Sequence, residues 1–170
     1  MQRADAQTRM VDNSAWGLKD EAYMQVLADL GLEAADLQLD VFSQAEMKKA
    51  PRWFSLYNAP GSAGTDGFYQ RWVNQDGSKA FCWINGPFHL MGRIIAKLRE
   101  EKVDGVLVCP KWPKGWRAQL RKLPIVKTVA IRPLLHNGKK VSPFYPGARV
   151  SPEARKGAFY WSTEAHLIHW

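Results

Sequence analysis

The chain has 170 residues, of which 46% are hydrophobic and 24% charged, as in a globular domain with a substantial core. No apolar run reaches the roughly 18–20 residues that span a bilayer, and the N-terminal residues lack the apolar segment of a secretory signal. The formal net charge of +8 favours an anionic partner: nucleic acid first, a membrane surface second.

Both cysteines, Cys82 and Cys109, fall in apolar runs, so we expect reduced core thiols and an intracellular location, in the nucleus or the cytoplasm.

The hydrophobic pattern predicts strands that alternate with helices. Residues 1–13 are predicted to be a flexible leader, and residues 14–170 a single domain. A helix is expected at 19–31, with Asp20 capping its start and Gly31 its end. Strands are predicted at 37–42, 52–57, 79–84, 104–110 and 127–134, with one or two more in 158–170. Helical segments are predicted at 68–72, after Phe88 and at 116–123, and loops at 58–67 and 135–157.

This alternation indicates an α/β fold with a parallel sheet and helices on both faces. Residues 79–84 carry no charge after Lys79, which suits a central strand that is buried on both sides. In open α/β sheets, ligands bind beyond the carboxyl ends of the strands. Asp40, Phe42 and Ser43 end the first of these strands, Asp66 precedes the segment at 68–72, and residues 85–88 follow the third strand.

Residues 85–88, Asn-Gly-Pro-Phe, have the chemistry of a base-binding site. The Asn85 amide oxygen and the Pro87 carbonyl can accept hydrogen bonds from an exocyclic amino group, and the Phe88 ring can stack on an extruded base. A methyl donor held beside that amine would need no metal and no covalent intermediate, since positioning supplies much of the rate.

The same residues resemble a known family, the phage-type DNA adenine-N6 methyltransferases, and more closely the methyltransferase-like domain of DIRS-type retrotransposon polyproteins. The likeness covers about residues 14–134 and rests on short motifs in the same order. They are Trp16, Asp40-Val-Phe-Ser43, Arg52-Trp-Phe-Ser55, Asp66-Gly-Phe-Tyr-Gln-Arg-Trp72, Asn85-Gly-Pro-Phe88 and Cys109-Pro-Lys-Trp112. The family has proline where this chain has Gly86, and we expect Gly86→Pro to raise activity or leave it unchanged.

The resemblance implies a small class I, Rossmann-like methyltransferase sheet that uses S-adenosylmethionine. It implies that Trp16, Asp40, Phe42 and Ser43 contact this donor and that Asp66 lies at or near its adenine. It further implies that Asn85, Pro87 and Phe88 hold the target base. DNA is the expected partner, with RNA as a second candidate; the oligomeric state stays open.

A basic surface with interleaved tryptophans is the predicted nucleic-acid interface, because cations and flat rings suit phosphates and unstacked bases. Its members are Lys111, Trp112, Lys114, Trp116, Arg117, Arg121, Lys122, Lys139 and Lys140. A solvated helix face and a plain surface loop explain the same residues.

Plainer readings stand beside each site assignment. Asp40 fits a turn at a strand end, Asp66 fits the cap of a short helix, and Asn85-Gly86-Pro87 fits a turn before a helix.

The leading hypothesis is an S-adenosylmethionine-dependent DNA methyltransferase acting on adenine N6. The alternative is a catalytically inactive, nucleic-acid-binding relative from a mobile-element protein. A nuclease built on Asp40 and Asp66 would need a third acid, and no metal site is predicted at His166 and His169.

Overall fold

The computed structural model describes residues 16–146 and 162–170 of the chain. The strands are β1 (Trp16–Leu18), β2 (Leu39–Ser43), β3 (Arg52–Ser55), β4 (Gly64–Thr65), β5 (Phe81–Ile84), β6 (Asp104–Pro110), β7 (Ile125–Ile131), β8 (Leu134–His136), β9 (Lys139–Val141), β10 (Phe144–Pro146) and β11 (Thr163–Ile168). The α-helices are α1 (Asp20–Leu30), α2 (Met91–Glu101) and α3 (Trp116–Leu120). Single 3₁₀ turns lie at Ala34–Asp36, Gly67–Tyr69 and Phe88–Leu90.

Seven strands form one mixed sheet in the order β4-β3-β2-β5-β6-β11-β7. The strands from β4 to β6 run parallel, whereas β11 runs antiparallel to both of its neighbours, β6 and β7. From β2 the chain adds β3 and then β4 on one side of the sheet. It then crosses over and adds β5 and β6 on the other side of β2. The carboxyl ends of β2 and β5 meet where the winding direction reverses. The predicted α/β class and the central, parallel position of β5 are confirmed. The prediction of a parallel sheet is wrong at one side, because β11 runs antiparallel to β6 and β7.

Helices cover both faces of the sheet. The Trp83 ring of β5 packs edge-on against Tyr23 of α1, with ring centroids 4.9 Å apart. The neighbouring Cys82 thiol lies 3.9 Å from the Trp72 carbonyl, and the Lys97 ammonium of α2 lies over the Trp72 ring. Because successive side chains of a strand point to opposite faces, α1 and α2 lie on opposite sides of the sheet.

Helix α1 forms where the apolar spacing predicts it. Tyr23, Val26, Leu27 and Leu30 are buried on one face, and Gly31 ends the helix with a left-handed φ of 72°. The prediction that Asp20 caps the start is wrong. Asp20 is the first helical residue, where its charge favours the helix dipole and pairs with Lys49.

The predicted loop at 135–157 is wrong over its first part, because β8 and β9 form a hairpin there. Asn137 and Gly138 make its two-residue turn with φ of 51° and 77°, as a type I′ turn requires. Strand β10 follows and pairs with β1 into a small ribbon. The predicted leader and the segment 147–161 lie outside the described residues.

Both cysteines are buried and free, as predicted. Among the residues that the structure describes, no helix combines the length and apolar composition needed to cross a membrane.

Candidate functional site

A narrow cleft that is open to solvent lies at the reversal point between β2 and β5. The cleft brings together Asp40 and Ser43 of β2 with Asn85, Gly86 and Pro87 after β5. Its remaining walls come from Gly17, Leu18, Phe42, Gln44, Met47, Lys49, Leu56 and Trp83. Asp40 and Asn85 lie 45 positions apart in the sequence, but both line this cleft because β2 and β5 are neighbouring strands.

Asp40 is the main electrostatic feature of the cleft. The residue is 2% exposed, and its Oδ2 accepts a hydrogen bond of 2.9 Å from the Lys49 amide. Among the described residues, its Oδ1 has no hydrogen-bond partner. Burial raises the pKa of the Asp40 carboxyl to about 7, although the Lys49 and Phe42 backbone and the Ser43 hydroxyl oppose this rise. A buried acid with an unused oxygen is suited to pairing with a cationic or hydrogen-bond-donating ligand.

The Lys49 side chain does not offer its charge to the cleft. Its ammonium lies 2.9 Å from the Asp20 carboxylate and over the Tyr23 ring, and the side chain is 5% exposed. Burial, with the charges of Asp40 and Asp20, raises the pKa of Tyr23 to about 12. Lys49 therefore contributes its backbone amide to Asp40 and directs its ammonium toward α1.

Asn85, Gly86 and Pro87 form one wall of the cleft, and packing fixes this wall. Asn85 is 9% exposed. A Cβ at residue 86 would lie 2.7 Å from Ile94 Cδ1 and 2.8 Å from Phe42 Cδ2, both closer than carbon atoms pack. Gly86 is therefore matched to its neighbours, which changes the expectation that proline would be accepted there.

Phe88 lies behind this wall and is not among the residues that line the cleft. It is 6% exposed, and its ring meets the rings of Trp112 and Phe144 edge-on at 5.8 Å and 6.1 Å. Stacking on a base would require this aromatic cluster to open.

The other predicted donor residues divide between the cleft and its surroundings. Ser43 and Phe42 line the cleft, and the Phe42 ring also packs on Phe68 and Trp72. Asp66 lies outside the lining, and its Oδ1 caps the turn Gly67–Tyr69 through the Phe68 amide at 3.0 Å. The Trp16 backbone pairs with Pro146, and its neighbours Gly17 and Leu18 reach the cleft.

Strand β3 ends in a cluster of serine hydroxyls. The Ser55 hydroxyl contacts the Tyr57 carbonyl and lies 2.9 Å from the Ser62 hydroxyl, which in turn donates to the Gly64 carbonyl at 2.6 Å. These bonds hold the loop 57–64 against the strand end, and Leu56, between the strand and this loop, lines the cleft.

The predicted nucleic-acid residues fall into an exposed group and an inward-facing group. Exposed to solvent are Lys111, Lys114, Arg121, Lys122, Lys139 and Lys140. Trp112 and Trp116 are half-buried and pack on the core. The Arg117 guanidinium is bound by the protein itself: Nη2 lies 3.0 Å from Glu164 Oε1, and Nη1 donates to the Pro110 carbonyl at 3.2 Å.

Sequence reasoning missed Lys49, Met47 and Gln44 in the cleft, since the segment after β2 has no periodicity that marks it. It also missed a buried group on β6 and β11. The Cys109 thiol, the Glu164 carboxylate and the His166 imidazole place donor atoms within 4.8 Å of one another. The sequence could not predict that these three residues lie together, because their proximity depends on the register between β6 and β11.

Comparison with known proteins gives no further assignment: no family model and no curated protein matches this chain.

Proposed function

We propose that the chain is an S-adenosylmethionine-dependent methyltransferase that acts on adenine N6 of DNA. The observation that carries the proposal is the shared cleft: Asp40 at the end of β2 and Asn85 after β5 line one space at the reversal point of the sheet. Doubly wound sheets bind their cofactors at this position. Asp40 would hold the donor, and Asn85 would hold the amine that receives the methyl group.

The sheet order supports this proposal. Counted from β2, the parallel strands follow the order 3-2-1-4-5 of doubly wound nucleotide-binding sheets. The last strand, β11, enters antiparallel between β6 and β7. Strand β11 lies beyond β6 and contributes no residue to the cleft between β2 and β5, so the parallel part of the sheet carries the proposal.

The charges of the cleft favour a methyl donor over a dinucleotide. Phosphate sites use glycine-rich turns and helix N-termini, but β2 carries the buried Asp40 carboxyl and residues 44–49 after it contain no glycine. Asp40 and Lys49 are the ionisable residues in its lining, and the Lys49 ammonium is paired with Asp20. A ligand that carries an amine and a sulfonium would gain from the Asp40 charge, whereas a pyrophosphate would be repelled.

On the acceptor side, the Asn85 amide oxygen and the Pro87 carbonyl would accept the two hydrogens of an exocyclic amine. The Pro87 carbonyl already accepts a hydrogen bond of 3.0 Å from the Leu90 amide, so it would use its second lone pair. Two bonds to the amine hydrogens would orient the nitrogen lone pair toward the donor methyl group. The exposed lysines of the 111–122 segment and of the β8–β9 hairpin would hold the nucleic-acid backbone. RNA would meet the same backbone contacts, so the assay below includes it.

The experiment has two stages. Calorimetry first measures binding of S-adenosylmethionine and S-adenosylhomocysteine, and tritiated methyl transfer to DNA, RNA and an unrelated protein then identifies the acceptor. We expect donor binding in both wild type and Asn85→Ala, and transfer to DNA in the wild type alone. Transfer to the protein substrate, or loss of donor affinity in Asn85→Ala, would contradict the assigned roles.

Two observations favour a second candidate, an inactive methyltransferase-like domain that binds nucleic acid in a mobile-element protein. Gly86 replaces the family's proline, and Phe88 is enclosed by Trp112 and Phe144. This candidate predicts nucleic-acid binding without methyl transfer at saturating donor.

A further inference from the structure

The loop between β6 and α3 is closed by one side chain. Pro110 ends β6, Arg117 lies in the first turn of α3, and the Arg117 Nη1 donates to the Pro110 carbonyl at 3.2 Å. This bond joins the two ends of a loop that carries two lysines and Trp112. Inside the loop, the Lys114 amide bonds to the Trp112 carbonyl at 2.9 Å. The position of Trp112 therefore depends on where the Arg117 guanidinium is held.

Glu164 of β11 holds that guanidinium. Its side chain is 8% exposed, and Oε1 lies 3.0 Å from Arg117 Nη2. His166 Nε2 lies 3.2 Å from the same oxygen, and His166 Nδ1 is 2.8 Å from the Thr128 hydroxyl of β7. A planar guanidinium that bonds both a carboxylate and a carbonyl is fixed in orientation as well as in place.

These contacts argue against a metal site at the neighbouring Cys109, Glu164 and His166. The Arg117 guanidinium already supplies the positive charge that Glu164 meets. Burial, with the nearby Glu164 charge, raises the pKa of Cys109 to about 12, so the thiol keeps its proton. The group is better described as a buried ionic support beneath α3.

The support reaches the acceptor side of the cleft through two rings. Trp112 meets Phe88 edge-on with centroids 5.8 Å apart, and Phe88 follows the Asn85-Gly86-Pro87 wall directly. The Leu90 amide bonds to the Pro87 carbonyl at 3.0 Å, so the turn that contains Phe88 and the wall form one unit. A shift of Trp112 would move Phe88 and change the direction of the acceptors before it.

We propose that Arg117 and Glu164 are positioning residues, which close the 110–117 loop and hold Trp112 against Phe88 so that the Asn85–Pro87 wall keeps its geometry. The catalytic part of this assignment rests on the proposed function. Arg117 then contributes to the orientation of the acceptor and not to contact with nucleic-acid phosphates.

Kinetics separates positioning from nucleic-acid contact. Arg117→Lys keeps the charge but loses the planar fork, and Glu164→Gln keeps a hydrogen-bond acceptor but loses the charge. We expect each to lower kcat for methyl transfer about tenfold, with the nucleic-acid KM and the donor Kd within about twofold of wild type. The double variant Arg121→Ala/Lys122→Ala is the matched control on the same surface. We expect it to raise the nucleic-acid KM, by an amount that depends on the salt concentration. A raised KM with unchanged kcat in Arg117→Lys, as in the control, would overturn the assignment.

A second measurement does not depend on activity. In hydrogen–deuterium exchange, Arg117→Lys should speed exchange several-fold in residues 111–116 and also in 86–91, with no change in β2. Faster exchange confined to 111–117 would contradict the coupling to the wall. If wild type shows no methyl transfer, the proposed function fails, whereas this exchange result still decides whether Arg117 positions the wall.

Discussion

Replacement of Asp40 by asparagine tests the electrostatics of the cleft, because it removes the charge with almost no change in shape. Asp40 is 2% exposed, and its Oδ2 accepts the Lys49 amide at 2.9 Å, a bond that an asparagine oxygen can keep. Oδ1 has no hydrogen-bond partner among the described residues, so the ionised carboxylate is poorly solvated where it lies.

The size of the effect follows from the pKa, which burial raises from 3.8 to about 7. The folded chain therefore holds this proton more tightly than the unfolded chain. Stability that depends on the proton is present at low pH and is lost as pH rises through the range from about 4 to about 7. At 1.36 kcal/mol per pKa unit, ionisation of Asp40 costs on the order of 2 to 3 kcal/mol of unfolding free energy between pH 5 and pH 8.

Urea unfolding of wild type and Asp40→Asn at pH 5, 6, 7 and 8 measures this cost. Because the other titrating groups are shared, the difference between the two proteins isolates Asp40. We expect the variant to gain on the order of 2 to 3 kcal/mol relative to wild type over this range. If the unfolding free energies of the two proteins differ by the same amount at every pH, within about 0.5 kcal/mol, the inference that burial raises the pKa of Asp40 is refuted.

Three further predictions concern the wall of the cleft and the basic hairpin. Asn85→Ala should abolish methyl transfer while calorimetry gives an unchanged donor Kd; a weakened Kd would place Asn85 on the donor. Gly86→Pro should lower both Tm and donor affinity, because added atoms would press on Phe42 and Ile94; unchanged values would mean that the wall relaxes freely. Replacing both lysines of β9 by alanine should reduce the slope of log K against log salt for DNA by about 2. An unchanged slope would show that the β8–β9 hairpin does not meet phosphates.

Much of the fold was predictable because its signals are local. The apolar run at β6, the helical spacing of α1 and the turn at Gly31 each lie within a few residues, and the structure has them where the pattern indicates. The strand order was not predictable, since the insertion of β11 between β6 and β7 depends on contacts between distant segments. The β8–β9 hairpin was missed although Asn137-Gly138 is a strong turn signal, because lysines and glycine gave the segment the composition of a loop.

The candidate site was predictable in part for the same reason. Asp40 and Asn85 each follow an apolar run, and the rule that ligands bind at carboxyl strand ends brings both to one edge. The burial of Phe88 and the inward direction of Arg117 were not predictable. Both depend on partners, Phe144 and Glu164, that come from the far end of the chain.

A crystal structure of the chain with S-adenosylhomocysteine tests the shared cleft most directly. The account predicts the ligand between β2 and β5, with a polar atom within hydrogen-bond distance of the Asp40 carboxyl and its sulfur directed toward Asn85. A cleft that stays empty at saturating ligand, or a ligand bound elsewhere on the chain, would contradict it.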